Sequence, residues 1–126
     1  MIENGADMLY AERFGVSDAA KEKGVLAIGN VIDTQPDYPE TVVASAIWDF
    51  APTLDKAIAE VQAGTFTAAD YGVYSFMKEG GCFLAPYGTF EGKIPQAALD
   101  LVETREAAIK DGSYTVEIND EEPKSS

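Results

Sequence analysis

The chain has 126 residues, one domain's worth of polypeptide and long enough for a real core. Nine Lys and Arg against twenty-two Asp and Glu leave a net charge of −13, which repels phosphate backbones and anionic lipid surfaces, so nucleic acid and membrane are poor partners. There is no histidine and one cysteine, Cys82, so zinc or histidine-based catalysis has almost no ligands and no disulfide can close within the chain. The expectation is a protein that is not an enzyme and needs neither cofactor nor metal.

Ala6 to Tyr10 is a short apolar run that reads as a strand. A loop, Ala11 to Gly15, leads to a short helix over Ser17 to Lys23, which Ser17 can cap and Gly24 can end. Val25 to Gly29 is the next strand. The order strand, helix, strand predicts parallel pairing through a right-handed crossover. A longer loop, Asn30 to Thr41, carries Asp33, Pro36 and Pro39.

Val42, Val43 and Ile47 mark a strand whose branched side chains suit a sheet covered on both faces. It runs through a crowded junction, Ile47-Trp48-Asp49-Phe50-Ala51-Pro52, straight into a helix. Ala51, Leu54, Ala57, Ile58 and Val61 recur at the three-to-four-residue spacing of one apolar face. Asp49 or a neighbour can cap the first turn, Pro52 sits where a missing N–H costs little, and Gly64 can stop the helix.

Tyr71 to Met77 is strand-like, and Lys78-Glu79-Gly80-Gly81 turns the chain into Cys82 to Pro86. Cys82 reads as a small buried apolar side chain, with no cationic neighbour to activate its thiol. A second long helix, from about Pro95 to Asp111, places Ala98, Leu101, Val102, Arg105 and Ile109 on one face, with Pro95 in its first turn and Gly112 at its end. Tyr114 to Ile118 alternates like a half-exposed strand, and Asn119 to Ser126 reads as a frayed acidic and polar tail. The fold expected is α/β, a mostly parallel sheet flanked by helices, as a single lobe over residues 1–118 followed by the tail 119–126.

In an open α/β sheet, ligands settle beyond the carboxyl ends of the strands. Trp48, Asp49 and Phe50 fall there. Two aromatic planes flanking a carboxylate can stack a planar ring and hold one polar edge of it. Tyr10, Glu12 and Phe14 leave the first strand at the same edge, and Asp33 leaves the second. The plainer alternatives are core packing for Trp48 and Phe50, a helix cap for Asp49, a turn for Asp33, and solvated loop positions for Tyr10, Glu12 and Phe14.

Several stretches together carry a resemblance: Gly5-Ala6-Asp7 with Tyr10, then Ala19-Ala20-Lys21-Glu22-Lys23-Gly24-Val25 with Ala27-Ile28-Gly29, then Thr41 to Ala46, Asp55 to Phe66, Lys78-Glu79-Gly80-Gly81 with Leu84-Ala85-Pro86, and Pro95 to Glu103. In this order and spacing the chain resembles the carboxyl-terminal part of the basic membrane protein (PnrA-like) family, substrate-binding proteins of ABC importers for nucleosides and related compounds. The resemblance runs from about Gly5 to Glu117. It implies a flavodoxin-like half of a type I periplasmic binding protein, in which two α/β lobes close on a ligand and part of the present chain, the strand-to-helix element at Trp48 included, crosses back to a first lobe that is missing here.

The same resemblance implies a purine base or nucleoside as ligand, an ABC permease as partner of the full-length protein, and a periplasmic or lipid-anchored extracellular location for it. Met1 to Asn4 has no secretion signal, so the chain as given would stay where it was made. The family's ligand contacts fall on the loop after Ile28-Gly29, where Asp33 matches an acidic position and Asn30 departs from one. Trp48 stands where the family commonly has a lysine, an aromatic plane in place of a charged donor. The competing reading is a freestanding or engineered flavodoxin-like domain that self-associates, as a homodimer, and holds no ligand. A phosphate-binding version lacks a glycine-rich loop, and a receiver-like version lacks an acidic cluster around Asp33.

Overall fold

The computed structural model describes residues 1–117, 119 and 121. Strands β1 (Met8–Tyr10), β2 (Leu26–Val31), β3 (Val42–Trp48) and β4 (Cys82–Leu84) form one sheet in sequence order. The first three are parallel, and β4 runs antiparallel to β3, with Ala46 beside Leu84 and Trp48 beside Cys82. This is the expected α/β lobe with a mostly parallel sheet.

Helix α1 (Val16–Lys23) packs on β1 and β2, and the core lies between them: Leu9, Ala20, Ala27 and Val42, flanked by Ile2, Val16, Val25 and Tyr38. Two of these four core side chains are alanines, so the helix rides close on the sheet. The expected Ser17 cap is not what starts α1. The helix begins one residue earlier, after Gly15, and Ser17 is buried in the first turn. Gly24 ends it as expected, in the left-handed conformation that lets its N–H reach the carbonyls of Ala20 and Lys21.

Helix α2 (Ala51–Ala63) has the predicted ends, Pro52 in its first turn and Gly64 past its last. Its predicted packing is reversed. Leu54, Ile58 and Val61 are 49%, 52% and 62% exposed, and the side of α2 that is packed is the opposite one. There Lys56 pairs with Glu60 (2.9 Å), Glu60 accepts a hydrogen bond from the Tyr71 hydroxyl, and Tyr71 stacks on Phe66 with centroids 5.6 Å apart. The chain after α2 folds back on this polar side and leaves the apolar stripe uncovered.

That fold-back also overturns the strand expected over Tyr71 to Met77. The segment forms two 3-10 helices, Tyr71–Ser75 and Met77–Glu79. Asp70 caps the first by accepting the Gly72 N–H (2.8 Å), and with Tyr71 anchored on Glu60 the backbone has local partners in place of a ladder. The chain then passes through Gly81, where a Cβ would overlap the Tyr74 carbonyl and the Ser75 backbone, and enters β4.

Helix α3 (Gln96–Asp111) starts one residue later than expected, with Pro95 at the cap position rather than inside the first turn, and Gly112 ends it. Of its predicted face, Val102 and Ile109 are half-buried, whereas Ala98, Leu101 and Arg105 are exposed. No strand forms over Tyr114 to Glu117. Tyr114 instead hydrogen-bonds the Ala108 carbonyl (3.0 Å) and lies under the Arg105 guanidinium, 3.9 Å from the ring centroid. Ile118 and most of the expected tail, Asn119 to Ser126, lie outside the described residues. Among those described, no helix is long and apolar enough to cross a membrane.

Candidate functional site

Parallel strands end together, so β1, β2 and β3 deliver Tyr10, Val31 and Trp48 to one edge of the sheet. Tyr10 (57%), Phe14 (88%), Trp48 (64%) and Phe50 (63%) are all exposed there. Packing into the core is thus not the role of Trp48 and Phe50 within this chain. Ile32, which sequence reasoning passed over, joins the same edge as a further exposed apolar side chain.

The polar residues of the edge are each engaged locally. Asp49 accepts the Ala51 N–H (2.8 Å) at the start of α2, and its own N–H donates to the Gly81 carbonyl (2.9 Å). Asp33 accepts the Gln35 N–H (3.0 Å), a turn of the Asx kind, and Asn30 accepts the Val31 N–H (3.0 Å). The turn role foreseen for Asp33 is present, whereas Asp49 stands one residue before the cap position, Phe50, and reaches only the first helical N–H. Each uses a single carboxylate oxygen, and the second oxygens carry no hydrogen bond among the described residues. Glu12 is paired with its neighbour Arg13 at 2.9 Å, both largely in solvent.

Chemically, the edge offers aromatic planes beside carboxylate acceptors. It is an open rim rather than a closed pocket. A cleft of about 460 Å³ lies elsewhere, between Leu84 to Tyr87 and the Leu99 to Glu106 part of α3. Another, of about 480 Å³, lies between Met1 to Glu3, Leu9 and α1 and touches the edge only through Tyr10. Neither includes Trp48, Asp33 or Asp49, so these concavities and the chemically equipped surface do not coincide. Both clefts are predominantly apolar grooves between packed elements.

The Tyr71 hydroxyl and the Lys56 ammonium hold the Glu60 carboxyl below its usual value, and burial pushes the Cys82 thiol up. Cys82 is half-buried beside Trp48 in the ladder, in keeping with an inert packed thiol.

One feature of the edge had no sequence signal at all. Val31, at the end of β2, has φ 74°, the left-handed region that β-branched residues rarely enter. Asn30-Val31-Ile32 itself holds no glycine, and Gly29, two residues before Val31, is not among the glycines with positive φ.

The sheet with its flanking helices makes an α/β lobe whose parallel carboxyl edge carries the aromatic rim. Two solved structures share the fold. One is a transcriptional activator of the comK gene from Bacillus halodurans, at a TM-score of 0.70 and 16% identity, covering 90% of this chain and 40% of that one. The other is an ABC transporter solute-binding protein from Conexibacter woesei, at a TM-score of 0.58 and 20% identity, covering 92% of this chain and 39% of that one. The chain thus spans about two fifths of the length of the solved structures it matches. No family model and no curated protein sequence matches it.

Proposed function

We propose that this chain is the ligand-binding lobe of an ABC-importer substrate-binding protein, of the PnrA-like kind its motifs resemble, and that it holds a small aromatic metabolite, a purine base or nucleoside, without catalysis. The observation that carries this reading is the exposure of Trp48 and Phe50 at the carboxyl edge, an edge that Asp33 and Asp49 also occupy, each with one carboxylate oxygen free of hydrogen bonds among the described residues. A purine stacked on an aromatic plane has N–H groups that such acceptors suit. Tyr10, Phe14 and Asn30 border the same edge, and Glu12 sits at its outer margin.

An open rim holds a ligand well only when a second wall closes over it, and α2 supports the existence of that wall. Its stripe of Leu54, Ile58 and Val61 is as apolar as a core face and is left half or more exposed by the described residues. In this reading the missing first lobe covers the stripe and supplies the other half of the clamp, and ligand binding shifts an open-to-closed population. The full-length protein would then work outside the cytoplasm and deliver its ligand to an ABC permease. One of the two fold neighbours is described as a transcriptional activator, yet the charge of −13 works against a DNA partner here.

Trp48 is the chain's single tryptophan, so its fluorescence reports the site without background. Titration with adenosine, guanosine and inosine should quench it, and a non-aromatic solute such as leucine should not. Absence of quenching by any purine up to millimolar concentration, with the first lobe supplied, would refute the reading. The uncovered stripe also favours one alternative, a lobe that pairs with a second copy of itself and binds nothing. A dimer by sedimentation with no purine quenching is its signature.

A further inference from the structure

The loop that follows left-handed Val31 is tied down by contacts that come from far along the chain. Downstream of it, the Thr34 N–H donates to Ser45 Oγ (3.3 Å), and Ser45 is fully buried in the middle of β3. Gln35 is 6% exposed, and its Nε2 donates to Thr89 Oγ1 (2.9 Å), fifty-four residues away. The Thr89 hydroxyl in turn donates to the Pro39 carbonyl, so Thr89 ties both ends of the loop between β2 and β3. The Ser45 carbonyl accepts the Ala85 N–H (2.8 Å), which fixes the segment that carries Thr89 to the same strand. Gly88 completes the lock: at φ 53° its backbone lies against the Gln35 amide, and a Cβ there would overlap that amide.

The loop carries other signs of being held rather than relaxed. The Thr34 hydroxyl is buried without a hydrogen-bond partner among the described residues, and it lies against the Gly29 Cα, where no side chain would fit. Strained backbone persists only when the surroundings over-determine it. Here those surroundings are Gln35, Gly88 and Thr89.

We propose that Gln35 and Thr89 are positioning residues of the candidate ligand edge: their buried lock holds Val31 left-handed and so sets where Ile32 and Asp33 point. With the lock broken, Val31 relaxes to the extended conformation its side chain prefers, and Ile32 and Asp33 leave their present places at the edge. The role of the loop in ligand contact rests on the binding reading above; the lock itself does not.

The test is NMR on the free chain. A positive φ shortens the distance between a residue's own amide and Hα protons, so wild-type Val31 should show an unusually strong intraresidue cross-peak. Thr89→Val, which keeps the shape and removes the hydroxyl, and Gln35→Ala should both lose it, with amide exchange over Val31 to Gln35 faster by tenfold or more. Thr89→Ser should restore both signals. If Gln35→Ala fails to fold, the near-isosteric Thr89→Val still decides. Retention of the strong cross-peak and of slow exchange in Thr89→Val would overturn the proposal, whatever the purine titrations show.

Discussion

Helices α1 and α2 differ in a way their sequences do not foretell. Helix α1 is the more polar, with Val16, Ala19 and Ala20 its whole apolar content, yet it is docked on the sheet with Ala20 fully buried. Helix α2 carries a broad stripe of Leu54, Ile58 and Val61 and leaves it in solvent while its Lys56–Glu60 side is packed. Periodicity says that a helix has a face to cover. What covers it depends on where the flanking strands and the following chain place the helix. Helix α1 lies between two paired parallel strands and must return across them. Helix α2 leaves the end of β3, and the chain beyond it folds onto its other side.

A large effect is expected at the fold-back that turns α2 around. Gly81→Ala would drive a Cβ into the Tyr74 carbonyl and the Ser75 backbone and should cost about 3 kcal/mol in urea unfolding. A cost near zero would mean that the Tyr71–Ser75 segment is not seated there.

Next is the aromatic rim. In the two-lobed protein, Trp48→Ala should weaken a planar ligand by roughly five- to over a hundredfold, the worth of one stack at about 1–3 kcal/mol. The thermal midpoint should hardly move, because Trp48 is mostly exposed. Calorimetry with melts alongside separates the two effects.

The contrast between the helices is sharpened by charge. Ile58→Asp on α2 should change the stability of this chain by no more than about 0.5 kcal/mol, as an exposed substitution. It should abolish any concentration-dependent association seen by sedimentation. Ala20→Asp on α1 should unfold the chain, since it buries an unpaired charge. Similar responses from the two would erase the distinction.

A smaller gain is expected at the strained position: Val31→Gly should stabilise by about 1 kcal/mol, the left-handed penalty less the entropy of glycine.

The smallest effect is a pH dependence. Glu60 is held below its ordinary 4.5 first by the Tyr71 hydroxyl and then by Lys56, so its contribution is present above the unfolded value and is lost as pH falls through the folded one. Urea midpoints between pH 6 and pH 3 should show a shallow decline that Glu60→Gln removes. The group is solvent-accessible, so the decline should be slight.

Much of this protein was legible in its residues. The apolar runs at Ala6 to Tyr10 and Val25 to Gly29, with a short helix between them, specify parallel pairing, because a helix between two strands leaves little other connection, although the second strand runs on to Val31, into what reads as loop. Gly24, Gly64 and Gly112 mark the helix ends, since each must turn left-handed there. The edge that gathers Tyr10, Asp33, Asn30 and Trp48 follows from strand direction alone. Tertiary structure decided the rest. Tyr71 to Met77 has the composition of a strand and became 3-10 helix, because Glu60 and Asp70 offered local hydrogen bonds that no sequence period records. Val31 is left-handed, and the loop after it is tied by partners as distant as Thr89. The side of α2 that stays open was settled by chain folding back from Phe66 onward, for periodicity gives a helix a face without giving it a neighbour.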